Sequence, residues 1–183
     1  MTNIPNLLTI VRILLTPFFV ILLLKDMFGT ALAVFAVAGV SDALDGFIAR
    51  YYNQRTSLGA YLDPIADKIL LSAAFIGLAV LKIIPGWLAV IVISRDVLIF
   101  IGIAIFTITE KKYKVSPSIV SKCTTTAQIT TIIVTLLNVN LSGLMTLREI
   151  LFWTTAALTT ISGFHYIYIG MNILQNHEHP DES

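Results

Sequence analysis

Residues 42–50 read Asp42-Ala-Leu-Asp45-Gly46-Phe-Ile-Ala49-Arg50, and residues 59–67 read Gly59-Ala-Tyr-Leu-Asp63-Pro-Ile-Ala-Asp67. The two segments place four aspartates against the ends of two strongly apolar runs. A carboxylate at membrane depth costs at least ~2.5 kcal/mol on insertion scales, and neighbouring carboxylates also repel one another. The cluster therefore predicts a bound cation inside a membrane protein.

The spacing of the aspartates predicts two ligand pairs on two helices. Asp42 and Asp45 are three residues apart, so on a helix they share one face. Gly59, Asp63 and Asp67 recur every four residues and form one stripe, with glycine as its open end. Two alternatives stay open: interhelical ion pairs with nearby cations, and a helix N-cap at Asp63 followed by proline at the first helical position.

The composition predicts a polytopic membrane protein. The chain has 183 residues, of which 56% are hydrophobic and 13% charged, and its mean hydropathy is +0.86. Soluble domains carry about twice that share of charge. Six apolar runs approach the ~20 residues that cross a bilayer: Leu7–Leu24, Thr30–Arg50, Pro64–Leu81, Gly86–Thr109, Pro117–Leu137 and Ile150–Leu174.

The fold class that follows is all-α, an integral membrane protein with six transmembrane helices. Lys25-Asp26 and Lys82 with Pro85-Gly86 are predicted loops on one side of the bilayer. Residues 1–175 are expected to form one transmembrane domain, and residues 176–183 a polar, disordered tail. The net charge of +1 gives no reason to expect a nucleic-acid partner.

The lysines and arginines predict the orientation, because cytoplasmic loops carry an excess of them. With both termini in the cytoplasm, the far side holds three basic residues outside the spans: Lys25, Lys82 and Arg148. The cytoplasmic side then holds seven: Arg12, Arg50, Arg55, Lys111, Lys112, Lys114 and Lys122. The aspartates therefore face the cytoplasm.

Aspartate oxygens are the ligands that Mg²⁺ and Mn²⁺ prefer, and four of them suit two ions. Such sites commonly bind a substrate phosphate as well, and the guanidinium of Arg50 matches a diphosphate. The residues thus predict phosphoryl-group transfer at the cytoplasmic face. A divalent-cation transporter is the competing class, but it would predict internal repeats and acids spread along a path, neither of which the sequence contains.

The pattern D-x-x-D-G-x-x-A-R, eight residues, G-x-x-x-D-x-x-x-D resembles the signature of the CDP-alcohol phosphatidyltransferase family, and every defining position matches. The resemblance implies six transmembrane helices, a homodimer in the lipid bilayer and CDP-diacylglycerol as donor. It also implies that Asp42, Asp45, Asp63 and Asp67 bind the metal, with Asp67 as the general base. Gly46, Ala49, Gly59, Arg50 and Asp42 would bind CDP-diacylglycerol.

The acceptor alcohol is predicted from other segments. The opening Asn3-Ile-Pro-Asn6-Leu-Leu-Thr9-Ile-Val-Arg12 is similar to that of two branches of the family, the phosphatidylglycerophosphate synthases and the cardiolipin synthases. The first branch uses glycerol 3-phosphate, a soluble dianion that needs several cations. The second uses phosphatidylglycerol, a monoanionic diester that needs fewer.

Two cations typical of the first branch are missing from this chain. That branch typically has an Arg-Glu pair with another arginine seven residues after the first; this chain has Ser94-Arg95-Asp96, and the position seven residues after Arg95 is Gly102. The same branch has two lysines at the start of the fifth span; in the segment Ser121-Lys122-Cys123-Thr124 of this chain, Thr124 stands at the position of the second lysine. The resemblance therefore favours phosphatidylglycerol, with Arg95, Lys122 and Arg12 as acceptor-binding candidates. Ion pairing of Arg95 with Asp96 and snorkelling of Lys122 are the alternatives. A bacterial cytoplasmic membrane is the expected location.

Overall fold

A computed structural model describes residues 4–51, 57–108, 119–140 and 145–175, with side chains in 11–41, 68–102, 119–137 and 145–172. Across these residues the chain forms helices and no strand, so the predicted all-α class is confirmed. The helices are α1 Ile4–Leu24, α2 Phe28–Tyr51, α3 Ser57–Val80, α4 Gly86–Ile108, α5 Ile119–Asn140 and α6 Met145–Gln175.

Four helices begin earlier than the apolar runs predicted, and two of them, α3 and α6, do so by a full turn or more. Helix α3 begins at Ser57 and α6 at Met145, where the sequence pattern had placed Pro64 and Ile150. The first turns of both helices mix polar and apolar residues, and an apolar-run criterion leaves such turns out. Because α3 runs through Asp63 and Pro64, the alternative that Asp63 is a helix N-cap is wrong.

The predicted loops at Lys25-Asp26 and Lys82 are tight turns that reverse the chain. After α1, the N–H of Met27 donates to the C=O of Leu22 (3.0 Å), and the N–H of Asp26 donates to the C=O of Leu23 (3.0 Å). Helix α3 ends in the same Schellman pattern. The αL positions, where glycine is usual, hold Asp26 (φ 56°) and Lys82 (φ 57°). Each turn therefore makes its two helices antiparallel.

The helices pack so that those carrying the aspartates share a neighbour. Helix α1 packs against α2 and α3, α4 against α3 and α6, and α5 against α2 and α6. The apolar core between α1, α2 and α3 includes Phe19 and Phe35, whose ring centroids are 5.7 Å apart. Helices α2 and α3, and with them the aspartates, are thus anchored on α1.

Several polar side chains are buried in the bundle beside the apolar core, and many large apolar side chains are exposed on its outside. Arg12, Arg95, Asp96, Thr124 and Gln128 are all buried. Large exposed apolar side chains occur on every helix, among them Leu14, Val40, Val80, Val90, Ile119 and Phe164. A soluble monomer rarely exposes this many large apolar side chains, so the arrangement is the one expected of helices that contact lipid.

One helical stretch among the described side chains, Ile119–Leu137, is both long and apolar enough to cross a membrane by itself. The described apolar stretches Val11–Leu24, Phe28–Ser41 and Lys68–Val80 are shorter. The complete helices nevertheless contain 21 to 31 residues. At 1.5 Å per residue, even the shortest equals the ~30 Å hydrocarbon thickness of a bilayer.

Candidate active site

The aspartate positions lie on two helices, as the spacing predicted. Asp42 and Asp45 belong to α2, together with Gly46, Ala49 and Arg50, while Gly59, Asp63 and Asp67 belong to α3. The side chains of these residues lie outside the described ones, so their metal and donor roles stay predictions. The two ligand pairs nonetheless occupy helices that pack against the same helix, α1.

A partly buried ion pair links α3 to α4 directly beside Asp67. Lys68, the next residue on α3, donates from Nζ to Asp96 Oδ1 on α4 at 2.6 Å. The side chain of Lys68 is 21% exposed and that of Asp96 only 4%. Because α3 is helical through both residues, this contact helps to fix the rotation of the stretch of α3 that carries Asp67.

Arg95 holds α4, α5 and α6 together through its guanidinium. Nη1 donates to Asp96 Oδ1 at 2.8 Å, and Nη2 donates to Ser121 Oγ at 2.7 Å. Nε and Nη2 both donate to Ser162 Oγ, at 3.2 and 2.9 Å. The guanidinium also lies 5.6 Å from the centre of the Tyr166 ring. Arg95 is 3% exposed, so these bonds are shielded from water.

The Arg95 geometry bears on its predicted role in binding the acceptor. A guanidinium has five N–H donors, and the hydrogen bonds described here occupy one on Nε, one on Nη1 and two on Nη2. Among the described contacts, one N–H on Nη1 remains, which is too few for a two-pronged grip on phosphate. The ion pair with Asp96, the alternative considered for Arg95, is present. Acceptor binding by Arg95 stays a prediction.

The other two acceptor candidates differ in exposure. Lys122 is exposed at the start of α5 and follows Ser121, which accepts a hydrogen bond from Arg95. Arg12 is 1% exposed within α1, and its backbone C=O accepts a hydrogen bond from Thr16 Oγ1 at 3.0 Å. Lys122 is therefore open to an acceptor arriving from outside the bundle, whereas Arg12 can act only from within it.

A seam of hydroxyl and amide groups between α5 and α6 was not predicted. Thr131 and Thr155 share a hydrogen bond of 2.7 Å, and Gln128 Nε2 donates to Thr159 Oγ1 at 3.3 Å. Thr124 Oγ1 is 3.1 Å from the C=O of Leu158. The α5 residues recur at intervals of four and three, the spacing of one helix face, which was the available signal. The seam fixes α5, and so Lys122, against α6.

The residues present suit a divalent metal by their chemistry. Four carboxylates on two helices with a common neighbour supply hard, anionic oxygens, the donors that Mg²⁺ and Mn²⁺ prefer. Within the described side chains no other group of three potential metal ligands occurs. The quartet is therefore the candidate metal site of this chain.

The sequence matches a known family of enzymes over most of its length. The model of the CDP-alcohol phosphatidyltransferase family matches residues 2–161. The chain belongs to this family. The match includes both segments that contain the aspartates, so the resemblance read from those segments is confirmed.

Two kinds of relative stand out within the family. Cardiolipin synthase (CMP-forming) from Rattus norvegicus is 37% identical to this chain over 193 aligned residues, which cover 94% of this chain and 63% of the relative. The Homo sapiens protein of the same name is 36% identical with the same coverage. CDP-diacylglycerol–glycerol-3-phosphate 3-phosphatidyltransferase from Bacillus subtilis is 31% identical, covering 91% of this chain and 94% of the relative. The chain spans 63% of the length of the first two relatives. Both predicted branches are thus represented.

Proposed function

We propose that this chain transfers the phosphatidyl group of CDP-diacylglycerol to a hydroxyl of phosphatidylglycerol, giving cardiolipin and CMP. The observation that carries the proposal is the complete match of the aspartate signature, on two helices packed against α1, within a chain of this family. Of the three relatives described above, all aligned over more than nine tenths of this chain, the two cardiolipin synthases (37% and 36% identical) are more similar than the Bacillus subtilis glycerol 3-phosphate enzyme (31%), which supports the acceptor.

The charges around α4 and α5 also support a monoanionic acceptor. Arg95 and Lys68 both direct donors at Asp96, so the charge of each is already compensated in part. Lys122 is exposed and forms no ion pair with the described residues. A phosphodiester needs one such cation, whereas the dianion glycerol 3-phosphate needs several.

In the proposed reaction, Asp67 accepts the proton of the acceptor hydroxyl. The hydroxyl oxygen forms a bond to the phosphorus next to diacylglycerol, and the bond from that phosphorus to the oxygen of CMP breaks. Asp42, Asp45, Asp63 and Asp67 would hold Mg²⁺ or Mn²⁺, which would neutralise the diphosphate charge. Arg50 would bind the diphosphate oxygens, while Gly46, Ala49 and Gly59 leave room for the cytidine nucleotide.

We further propose the setting of the reaction. Residues 1–175 form a six-span domain with both termini and the aspartates on the cytoplasmic side of a bacterial membrane, followed by a polar tail at 176–183. The outward apolar surface and buried polar groups support insertion in lipid. The chain forms a homodimer. Family membership and the absence of an internal repeat both argue against the alternative of a divalent-cation transporter.

The test uses purified full-length protein in mixed micelles with CDP-diacylglycerol and Mg²⁺ or Mn²⁺. CMP release and lipid products are measured with phosphatidylglycerol, with glycerol 3-phosphate and without acceptor. We expect CMP and cardiolipin only with phosphatidylglycerol. Product from glycerol 3-phosphate alone would refute the acceptor and favour the phosphatidylglycerophosphate synthase alternative, whereas no CMP with either acceptor would refute the proposed donor chemistry.

Asp67→Asn tests the general base, and Asp26→Asn is its matched control. Asp26 lies in the exposed turn after α1, so the same chemical change there should leave CMP release intact. We expect Asp67→Asn to lower kcat by at least ~10²-fold, the smallest usual contribution of a general base. Unchanged kcat in Asp67→Asn would contradict the assignment.

A further inference from the structure

A polar cavity lies at the end of the bundle where α3 turns into α4. Its volume is about 430 Å³, and it is lined by the turn residues Lys82 to Pro85 and by the start of α6, including Arg148, Glu149 and Phe152. This end also holds the turn after α1 and is predicted to face away from the cytoplasm. The proposed reaction uses none of these residues.

Two cations in this cavity lack a counter-charge among the described residues. Lys82 is exposed, and Arg148 stacks on the Phe152 ring at 5.7 Å. The Nε atom of Arg148 is buried and has no hydrogen-bond acceptor within the described structure. Glu149 also lines the cavity, but it forms no ion pair with either cation, so the three side chains together carry one net positive charge. By contrast, Lys68 and Arg95 both contact Asp96.

The backbone at Lys82 holds this residue in the turn that lines the cavity. Its φ of 57° places it in the left-handed region, where glycine is the stable choice and a side chain costs about 1 kcal/mol. The turn thus keeps a lysine in the lining of the cavity, together with Arg148, whose buried Nε has no acceptor among the described residues, and these two cations point to an anionic ligand.

The surroundings of the cavity select the kind of anion. The rings of Trp87 and Trp153 are in contact, with centroids 5.1 Å apart and planes tilted by 35°, and the two residues are 40% and 70% exposed. Trp87 lies two residues after the cavity residue Pro85, and Trp153 follows Phe152. Exposed tryptophans mark the level of lipid headgroups in membrane proteins. The apolar part of the lining, with Ile83, Ile84 and Phe152, suits the glycerol and upper acyl chain of a lipid.

We propose that this cavity binds the phosphate of an anionic phospholipid at the membrane face opposite the aspartates. Arg148 and Lys82 contact the phosphate oxygens, and the Trp87–Trp153 pair contacts the lipid beside them. The proposal relies on the membrane setting of the proposed function but not on its chemistry. Its test therefore measures lipid binding and not CMP release.

The chain supplies its own reporter, because Trp87 and Trp153 are its only two tryptophans. Full-length protein in phosphatidylcholine nanodiscs would be titrated with phosphatidylglycerol brominated on its acyl chains, or with equally brominated phosphatidylcholine. Bromine quenches tryptophan emission on contact. We expect stronger quenching by the anionic lipid at equal mole fraction. A cation near the membrane contributes about a fivefold preference, so Lys82→Gln with Arg148→Gln should remove the difference.

Lys25→Gln is the matched control, since Lys25 is an exposed cation in the turn after α1 at the same end of the bundle. It should keep the preference, and Arg148→Lys should keep part of it. Equal quenching by both lipids in the unmodified protein would overturn the proposal, as would quenching by neither. If millimolar inorganic phosphate removes the preference for the anionic lipid, the site binds free phosphate, and the proposal that its ligand is a phospholipid is wrong. If Lys25→Gln removes the preference to the same extent, the preference arises from general surface charge and not from this cavity, and the proposal is wrong.

Discussion

Asp96→Asn tests the charge network that joins α3 to α4. Asp96 Oδ1 lies 2.6 Å from Lys68 Nζ and 2.8 Å from Arg95 Nη1. The substitution keeps the shape of the side chain but leaves Arg95, which is 3% exposed, without a counter-charge. Breaking a buried pair from one side costs about 3–5 kcal/mol. Since Ser121 and Ser162 still accept hydrogen bonds from Arg95, we expect the lower end, about 3 kcal/mol.

The loss should appear as a lower melting temperature in detergent, followed by far-UV circular dichroism. For a chain of this size, 1 kcal/mol corresponds to about 2–4 °C, so we expect a decrease of about 6–12 °C. Asp26→Asn makes the same chemical change in an exposed turn, where asparagine tolerates a positive φ, and should leave the melting temperature unchanged. A decrease below about 2 °C in Asp96→Asn would refute the stabilising role of the network.

Three further changes test the packing and the metal. Gly77→Ala places a Cβ 2.9 Å from Leu23 Cδ1, and the cost of overpacking should exceed the gain in helix propensity, so we expect the melting temperature to decrease by a few degrees. Gly39→Ala is the control: its Cβ meets no atom within 4 Å, and the substitution should raise the melting temperature. Lys82→Gly removes the cost of a side chain at positive φ and should stabilise the protein by about 1 kcal/mol, which corresponds to a rise in melting temperature of about 2–4 °C. An unchanged melting temperature would contradict this cost. Removing divalent ions with EDTA should abolish CMP release, and Mg²⁺ or Mn²⁺ should restore it, unless the aspartates act without metal.

The sequence predicted the elements well, because a long apolar run is a strong signal. All six predicted runs correspond to helices, and both turns at Lys25-Asp26 and Lys82 occur where charged residues interrupt the runs. The starts of α3 and α6 were missed because their first turns are polar enough to look like loop. A helix continues past its apolar stretch wherever no residue ends it, and apolar counting does not detect this.

The partners of the buried polar groups were harder to predict than the groups themselves. Arg95 and Lys122 were recognised as polar residues in apolar surroundings, but Ser121 and Ser162 were not recognised as acceptors for Arg95. These contacts join residues 26 and 67 positions apart in the chain. They depend on which faces α4, α5 and α6 present to one another, and a single sequence fixes helix faces far better than helix neighbours.

The Arg95 contacts narrow where acceptor specificity can arise. To hold a phosphate with two donors, Arg95 would have to exchange an existing partner such as Asp96 for the substrate at every turnover, at a cost comparable to breaking a buried pair. Lys122 requires no such exchange, because its side chain is exposed and unpaired among the described residues. Its backbone is fixed by Ser121, which contacts Arg95, and by Thr124, which contacts Leu158 on α6. Arg95 is thus better suited to positioning α5, and Lys122 to meeting the acceptor's single negative charge. Lys122→Gln should then raise the KM for phosphatidylglycerol while kcat stays near that of the unmodified enzyme. An unchanged KM for phosphatidylglycerol would contradict the assignment of Lys122 to acceptor binding.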